Sequence, residues 1–581
     1  MKNNAFMGFI HRRLTVRQLT KFFLFASAVV GIVFGSIVLP TSAARAATAS
    51  STRALTESEK ASDVEQFFQL IKSSYGPLRF KESDQGINVK SLRAKYLELA
   101  RETQSNSEFY YMLGRLIAEF RDSHFSVNIP SRMRANLGFS VDLVEGKVLV
   151  DQILNYKGPY TLAKGDEIVT VDGAPVASAV EGLMSYVSSG FEGTRRRTAA
   201  MMLTQRNGAR VPVPRGNITL GIRKSDAAMG IDTVSIPWMV DGSPLDERIS
   251  APFIPAVASG GPGYLKNFQL DVVSEMRGLL FADAEQSFRC SGRTRTKIPD
   301  GAVMIQESPF VAYYHPVADS AHDGRSVNIG YLRIPHYMPS IDKPGSEPTE
   351  DGFREYYARY EYAVAELEAH TDGLIIDQDH NCGGSVDYLE NLVGLFMDKP
   401  YPGLQFSFLA TKQEYLEFSQ ELDHMIPQSL PYKYFKSVTD LMRASWERGE
   451  AMTPKTSFFG DQLHAPNAST RYTKPIVMLI DELSGSGGDA FPSIMQGLGR
   501  AKLLGTRTMG AGGHVVAPAP LYHSAVGMRI TKSLFYRPDG VAVENNGAVP
   551  DFDYAPTQSD FMNSYADYQR FYLEKLLQQL Q

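Results

Sequence analysis

One stretch constrains the fold more than any other: residues 474–513, KPIVMLIDELSGSGGDAFPSIMQGLGRAKLLGTRTMGAGG. Its apolar run at 476–480 reads as a buried strand, Ser-Gly turns follow, and a helix opens behind Asp489 and Phe491. A strand that feeds a tight turn and then a helix lifts the turn to the edge of a sheet. There the unpaired N–H groups of the helix start gather and favour negative charge. Ser486 stands at that point and is the candidate nucleophile. A Ser-Gly turn ahead of a helix is also an ordinary cap, and the stretch is not the G-x-S-x-G elbow, so its role depends on the rest of the chain.

At 581 residues the chain is too long for one core, and two to four domains are expected. Apolar residues at 43% and charged residues at 21% are those of a globular protein, and a net charge of −5 gives no reason to expect nucleic-acid binding. Arg195-Arg196-Arg197 reads as a solvated surface turn.

The N-terminus reads as a targeting signal over 1–46. Basic residues precede an uncharged run at 22–39, and Ala44-Arg45-Ala46 offers the small residues a signal peptidase reads. The expected mature chain begins near Ala47, in a periplasmic or extracellular space; an uncleaved membrane anchor is the alternative. Cys290 and Cys382 are the only two cysteines, and whether they pair is open.

Helical periodicity fills 56–120: Val64, Phe67, Phe68, Leu70 and Ile71 make one apolar face, Phe109, Met112, Leu113, Leu116 and Ile117 another. A helical domain over 47–130 is expected, carrying Asp122-Ser123-His124. The pattern turns to strands over 131–225. There Asn136-Leu137-Gly138-Phe139 resembles the carboxylate-binding loop of a PDZ domain, and 165–173 resembles a second PDZ hallmark. Successive N–H groups at Leu137, Gly138 and Phe139 would hold a peptide C-terminus while the strand edge adds a peptide strand. Residues 226–325 read as an irregular connection with a helix near 270–281. A core of strand–helix units spans 326–556, with a helical insertion near 410–460 that reads as a lid, an oligomer contact or decoration. A terminal helix follows over 557–581.

Taken in order, the helical domain, Asp122-Ser123-His124, the PDZ segment, the Gly330-Tyr331 strand, Asn381-Cys382-Gly383-Gly384, the Ser486 turn and Glu544-Asn545-Asn546-Gly547 resemble the S41 peptidases. These are the tail-specific or C-terminal processing peptidases, and the tricorn-core-like branch is most similar. The resemblance implies an α+β multidomain protein whose core has the spiral α/β fold shared with ClpP and the crotonases. It implies a serine endopeptidase of polypeptides that uses no metal or cofactor. Ser486 matches the nucleophile, His124 the base, and Ser123 and Glu544 the two partners of a tetrad. Gly487 with Gly383 or Gly384 matches the oxyanion hole. A Ser-Lys dyad is disfavoured because Thr508-Met509-Gly510-Ala511 lacks the lysine that such relatives carry. His380 and His514 read as surface or supporting residues. The rival reading is a non-catalytic binding protein for apolar ligands or polypeptides on the same fold, and the oligomeric state is open.

Overall fold

The computed structural model describes residues 54–156, 158, 160–225, 230–242, 290–292, 294–319, 324–338, 350–423, 425, 427–457 and 463–580. The expected signal segment and the helix expected near 270–281 lie outside these residues.

Four helices begin the described chain: Glu57–Ser74, Leu78–Asp84, Val89–Glu102 and Asn106–Ala118. Thr56 and Glu59 form a reciprocal capping box on the first, and Ser105 caps the last by accepting from the Glu108 N–H. Their apolar faces meet around Phe67, Ile71, Phe109, Leu113, Phe120 and Phe125, all buried. This core also takes in Met528 and Ile530, from a distant strand that pairs antiparallel with Ser126–Asn128. The helical unit is therefore fused to the far end of the chain by both side chains and backbone.

The second unit is an antiparallel sheet of Phe139–Val144, Lys147–Ile153, Glu167–Val171, Asn217–Arg223 and Asp232–Pro237, with helices Val176–Met184 and Glu192–Met201. It extends beyond the boundary expected at 225. Val234 and Ile236 are buried between exposed neighbours, and this two-residue period pairs the strand with Asn217–Arg223.

The core is a seven-stranded mixed sheet. Val303–Gln306, Ala312–Asp319 and Arg325–Arg333 run antiparallel; Gly373–Asp377, Ile476–Ile480, Lys502–Gly505 and Phe552–Asp553 then add in parallel. Every residue of Gly373–Asp377 and Ile476–Ile480 is buried, as continuous apolar strands covered on both faces must be. Helices Glu350–His370, Val386–Val393 and Gly487–Gly497 pack on one face and Ala566–Leu577 on the other. The parallel neighbours Gly373–Asp377 and Ile476–Ile480 release their following loops side by side at the carboxyl edge of the sheet, where open α/β sheets place their ligand sites. The insertion forms helices Lys412–Asp423 and Leu430–Glu447, whose Phe418, Phe435, Val438 and Met442 are buried in the main core. Among the described residues, no helix is long and apolar enough to cross a membrane.

Candidate active site

Ser486 follows the buried strand and begins the helix Gly487–Gly497 with φ 58° and ψ −113°. A non-glycine residue at positive φ costs on the order of 1–3 kcal/mol and persists only when its surroundings hold it. Asp489 supplies that hold. Its carboxylate accepts from the Ser486 N–H at 2.7 Å, the Gly510 N–H at 2.8 Å and the Ala511 N–H at 2.9 Å, and from the Thr508 hydroxyl. Burial pushes the Asp489 carboxyl up to about 6 against these four donors.

The 381–384 loop lies directly against this turn. A Cβ on Gly383 would sit 2.7 Å from the Ser486 Cβ, and one on Gly487 would sit 2.7 Å from the Tyr337 ring. Only glycine fits at either position. The Gly383 N–H donates to Asn381 Oδ1 at 2.8 Å and is thus engaged within its own loop. Cys382 is bonded to Cys290 in a disulfide with a Cα separation of 5.4 Å, which answers the pairing question left open by the sequence.

Asp122-Ser123-His124 forms a tight turn after Arg121, itself at φ 52°. Asp122 shapes it by accepting from the His124 N–H and the Tyr75 hydroxyl, both at 2.8 Å. Ser123 and Met509 line one cavity of about 60 Å³, and a Cβ on Gly485 would sit 2.9 Å from Met509 Sδ. The turn bearing His124 and the turn bearing Ser486 thereby reach a common side chain. Glu544 is fully buried, with one oxygen on Lys81 Nζ and the other accepting from the Gly512 N–H at 3.0 Å. Burial, assisted by Asp122 and opposed by Lys81, pushes its carboxyl up to about 8. Among the described residues the Ser123 hydroxyl has no hydrogen-bond partner, so the two tetrad partners implied by the resemblance, Ser123 and Glu544, are not bonded to each other.

One expectation about charged residues is corrected. Arg197 is not a solvated turn residue: it lies on the helix Glu192–Met201, 5% exposed, and grips both oxygens of Asp142 at 2.7 Å. It also reaches Asp481 at 3.3 Å, Glu482 at 3.0 Å and His380 at 2.9 Å. Of the two alternatives held open for His380 and His514, surface or supporting, burial leaves the supporting one. Burial pulls His380 down to about 4 although Asp481 lies 2.9 Å away. His514 is held near 3 by burial, with Lys532 and nearby His124 adding to the effect. In the PDZ-like loop, the Leu137 N–H donates to Thr204 O and the Gly138 N–H to Asn136 Oδ1, both at 3.0 Å, while Phe139 is buried in the strand pair.

Sequence reasoning missed Lys81 and the bracing role of Asp489. Lys81 sits in an ordinary polar helix and nothing local marks it. Asp489 carried a signal, an acidic residue three positions after a helix-starting serine, which is the spacing of a capping box.

Residues 328–554 match the model of peptidase family S41, and residues 133–249 match that of a PDZ domain. A protein of Chlamydia muridarum is 27% identical over 562 residues, 88% of this chain and 91% of that protein. One of Chlamydia pneumoniae is 27% identical over 563 residues, 88% and 89% of the two chains. Among solved structures, mature CPAF complexed with lactacystin superposes with a TM-score of 0.74 at 24% identity, covering 90% of this chain and 99% of that one. That likeness establishes the shared architecture of helical region, PDZ domain and protease core.

Proposed function

From a chain whose core belongs to peptidase family S41 and follows a PDZ domain, we propose an exported serine endopeptidase that hydrolyses polypeptides through an acyl-enzyme on Ser486. The observation that carries the reading is the strained Ser486, fixed at a helix start by Asp489 and faced by the glycine loop 381–384. His124 takes the Ser486 proton as Oγ bonds to the scissile carbonyl carbon. The oxyanion is held by N–H groups of Gly487 and of the glycine loop; because Gly383 already donates to Asn381, Gly384 is the loop donor of choice. Collapse breaks the C–N bond, and the proton on His124 goes to the leaving amine. Water, deprotonated by His124, then cleaves the ester and returns the proton to Ser486. Glu544, with Ser123 as the tetrad's fourth member, stabilises the imidazolium.

Capture of a substrate C-terminus at Leu137, Gly138 and Phe139 is the finer part of the proposal. It requires Thr204 and Asn136 to release two N–H groups.

The test is digestion of an unfolded model protein, with free or amidated C-terminus, by the chain and its Ser486→Ala variant, with products read by mass spectrometry. Cleavage by the wild type alone supports the reading, and slower cleavage of the amidated form supports capture. Turnover retained by Ser486→Ala removes the mechanism. A folded wild type that cleaves nothing shifts weight to a binding protein.

A further inference from the structure

Lys81 is among the largest fully buried side chains of the molecule. A lysine loses more than most residues on burial and is tolerated there only with partners. Among the described residues its ammonium has two: Glu544 and the Arg121 carbonyl at 2.7 Å. Arg121 immediately precedes the Asp122-Ser123-His124 turn, so a single cation ties the turn bearing the candidate base to the loop bearing the candidate acid.

The segment that carries Lys81 is fixed to the same place by independent contacts. The Gly76 N–H donates to Thr531 O at 2.9 Å, and a Cβ on Gly76 would lie 2.4 Å from Lys532 O, so the chain can pass there only as glycine. Tyr75 gives its hydroxyl to Asp122, the residue that shapes the base turn. The short helix Leu78–Asp84 that follows then aims Lys81 at Glu544. On the other side, Gly512 donates to Glu544 and approaches its backbone so closely that a Cβ would lie 2.4 Å from the Glu544 nitrogen. The ionisable groups around Glu544 are thus Lys81 from the helical unit, Asp122 from the base turn and, more remotely, Tyr75. Two carboxylates share this buried space, and Lys81 is the cation bonded to Glu544.

We propose that Lys81 is a positioning residue of the active site: it orients Glu544 and favours its ionised form, so that a carboxylate can form opposite the His124 imidazolium. Lys81 touches no substrate and acts only through Glu544. The proposal rests on the serine-peptidase reading above and extends it, because it makes the helical unit a supplier of active-site charge as well as of His124.

The experiment measures kcat and KM from pH 5.5 to 9.5 for the full chain and for Lys81→Met, Lys81→Arg, Glu544→Gln and Ser486→Ala. Loss of an orienting charge is expected to lower kcat of Lys81→Met on the order of 10²-fold with KM unchanged. Without the cation, Glu544 holds its proton to higher pH, so the acid limb of the kcat profile moves upward. Lys81→Arg keeps the charge and leaves that limb near the wild-type position. Unchanged kcat and limb in a folded Lys81→Met protein overturn the proposal. If that variant does not fold, the Lys81→Gln/Glu544→Gln pair decides, since it removes both charges together. Its kcat is expected to equal that of Glu544→Gln alone, and a further loss overturns the proposal. Turnover surviving in Ser486→Ala refutes the serine-peptidase reading itself, whereas a dead Ser486→Ala beside an unaffected Lys81→Met refutes only the role of Lys81.

Discussion

At the residue scale, Asp489 holds the most demanding position. One carboxylate serves the Ser486 N–H, two N–H groups of the 510–511 loop and the Thr508 hydroxyl. Asp489→Asn turns one acceptor oxygen into a donor that faces other donors, leaving buried N–H groups unmatched. An unmatched buried polar group costs about 1–3 kcal/mol. Denaturant unfolding of Asp489→Asn is expected to show a loss of that size, together with a lower kcat as Ser486 relaxes from its strained φ. A variant with wild-type stability and rate would mean that the helix start alone holds the turn. Much of this site is legible in the one-dimensional chain, because a serine turn between an apolar strand and a helix is a local arrangement. The role of Lys81 is not, since its partner Glu544 is 463 residues away.

At the scale of elements, the helix Glu192–Met201 is decisive. It lies along the strand Phe139–Val144 and sends Arg197 across to Asp142 and on to Asp481 and Glu482, which follow the strand leading to Ser486. The cations Arg197 and Arg295 hold Asp142 near 2 despite its burial. Removing one member of such a buried set strands the others: Arg197→Met is expected to cost about 3–5 kcal/mol, read as a lower denaturation midpoint. A loss below about 1 kcal/mol would show that Arg295 carries the acidic residues alone. The three consecutive arginines invited a solvated reading because sequence shows charge but not what lies opposite. Arg196 does keep an exposed partner on its own helix, in Glu192; Arg195 is largely covered and donates to the Val187 and Met184 carbonyls, and Arg197 is buried among the acids.

For the whole molecule, acids buried at different junctions give stability a common pH dependence. Glu544 and Glu390 are pushed up to about 8 and Glu414 to about 7, in each case mainly by burial. Their folded values exceed those of the unfolded chain, so the folded state binds the extra protons. That stability is full below about 4.5 and is lost as pH rises towards 8. Asp142, held low, acts in the opposite sense, and its contribution disappears as pH falls from about 4 to 2. The melting temperature is therefore expected to be higher near pH 5 than at pH 8.5, with Glu390→Gln flattening the decline; a midpoint that rises over this range would contradict the assignment. The sequence by itself determined the helical, β and α/β composition of successive segments and the Ser486 turn, because hydrophobic period and turn chemistry are local. It also presented, in order, the family motifs that lie far apart in the chain. Only the tertiary structure decided that Cys290 meets Cys382, that Arg197 turns inward, that Thr204 takes the Leu137 N–H of the PDZ-like loop, and that Lys81 rather than Ser123 holds Glu544. Each of these depends on which distant groups share a buried space, where an unmatched charge or N–H is costly and the nearest complementary partner prevails.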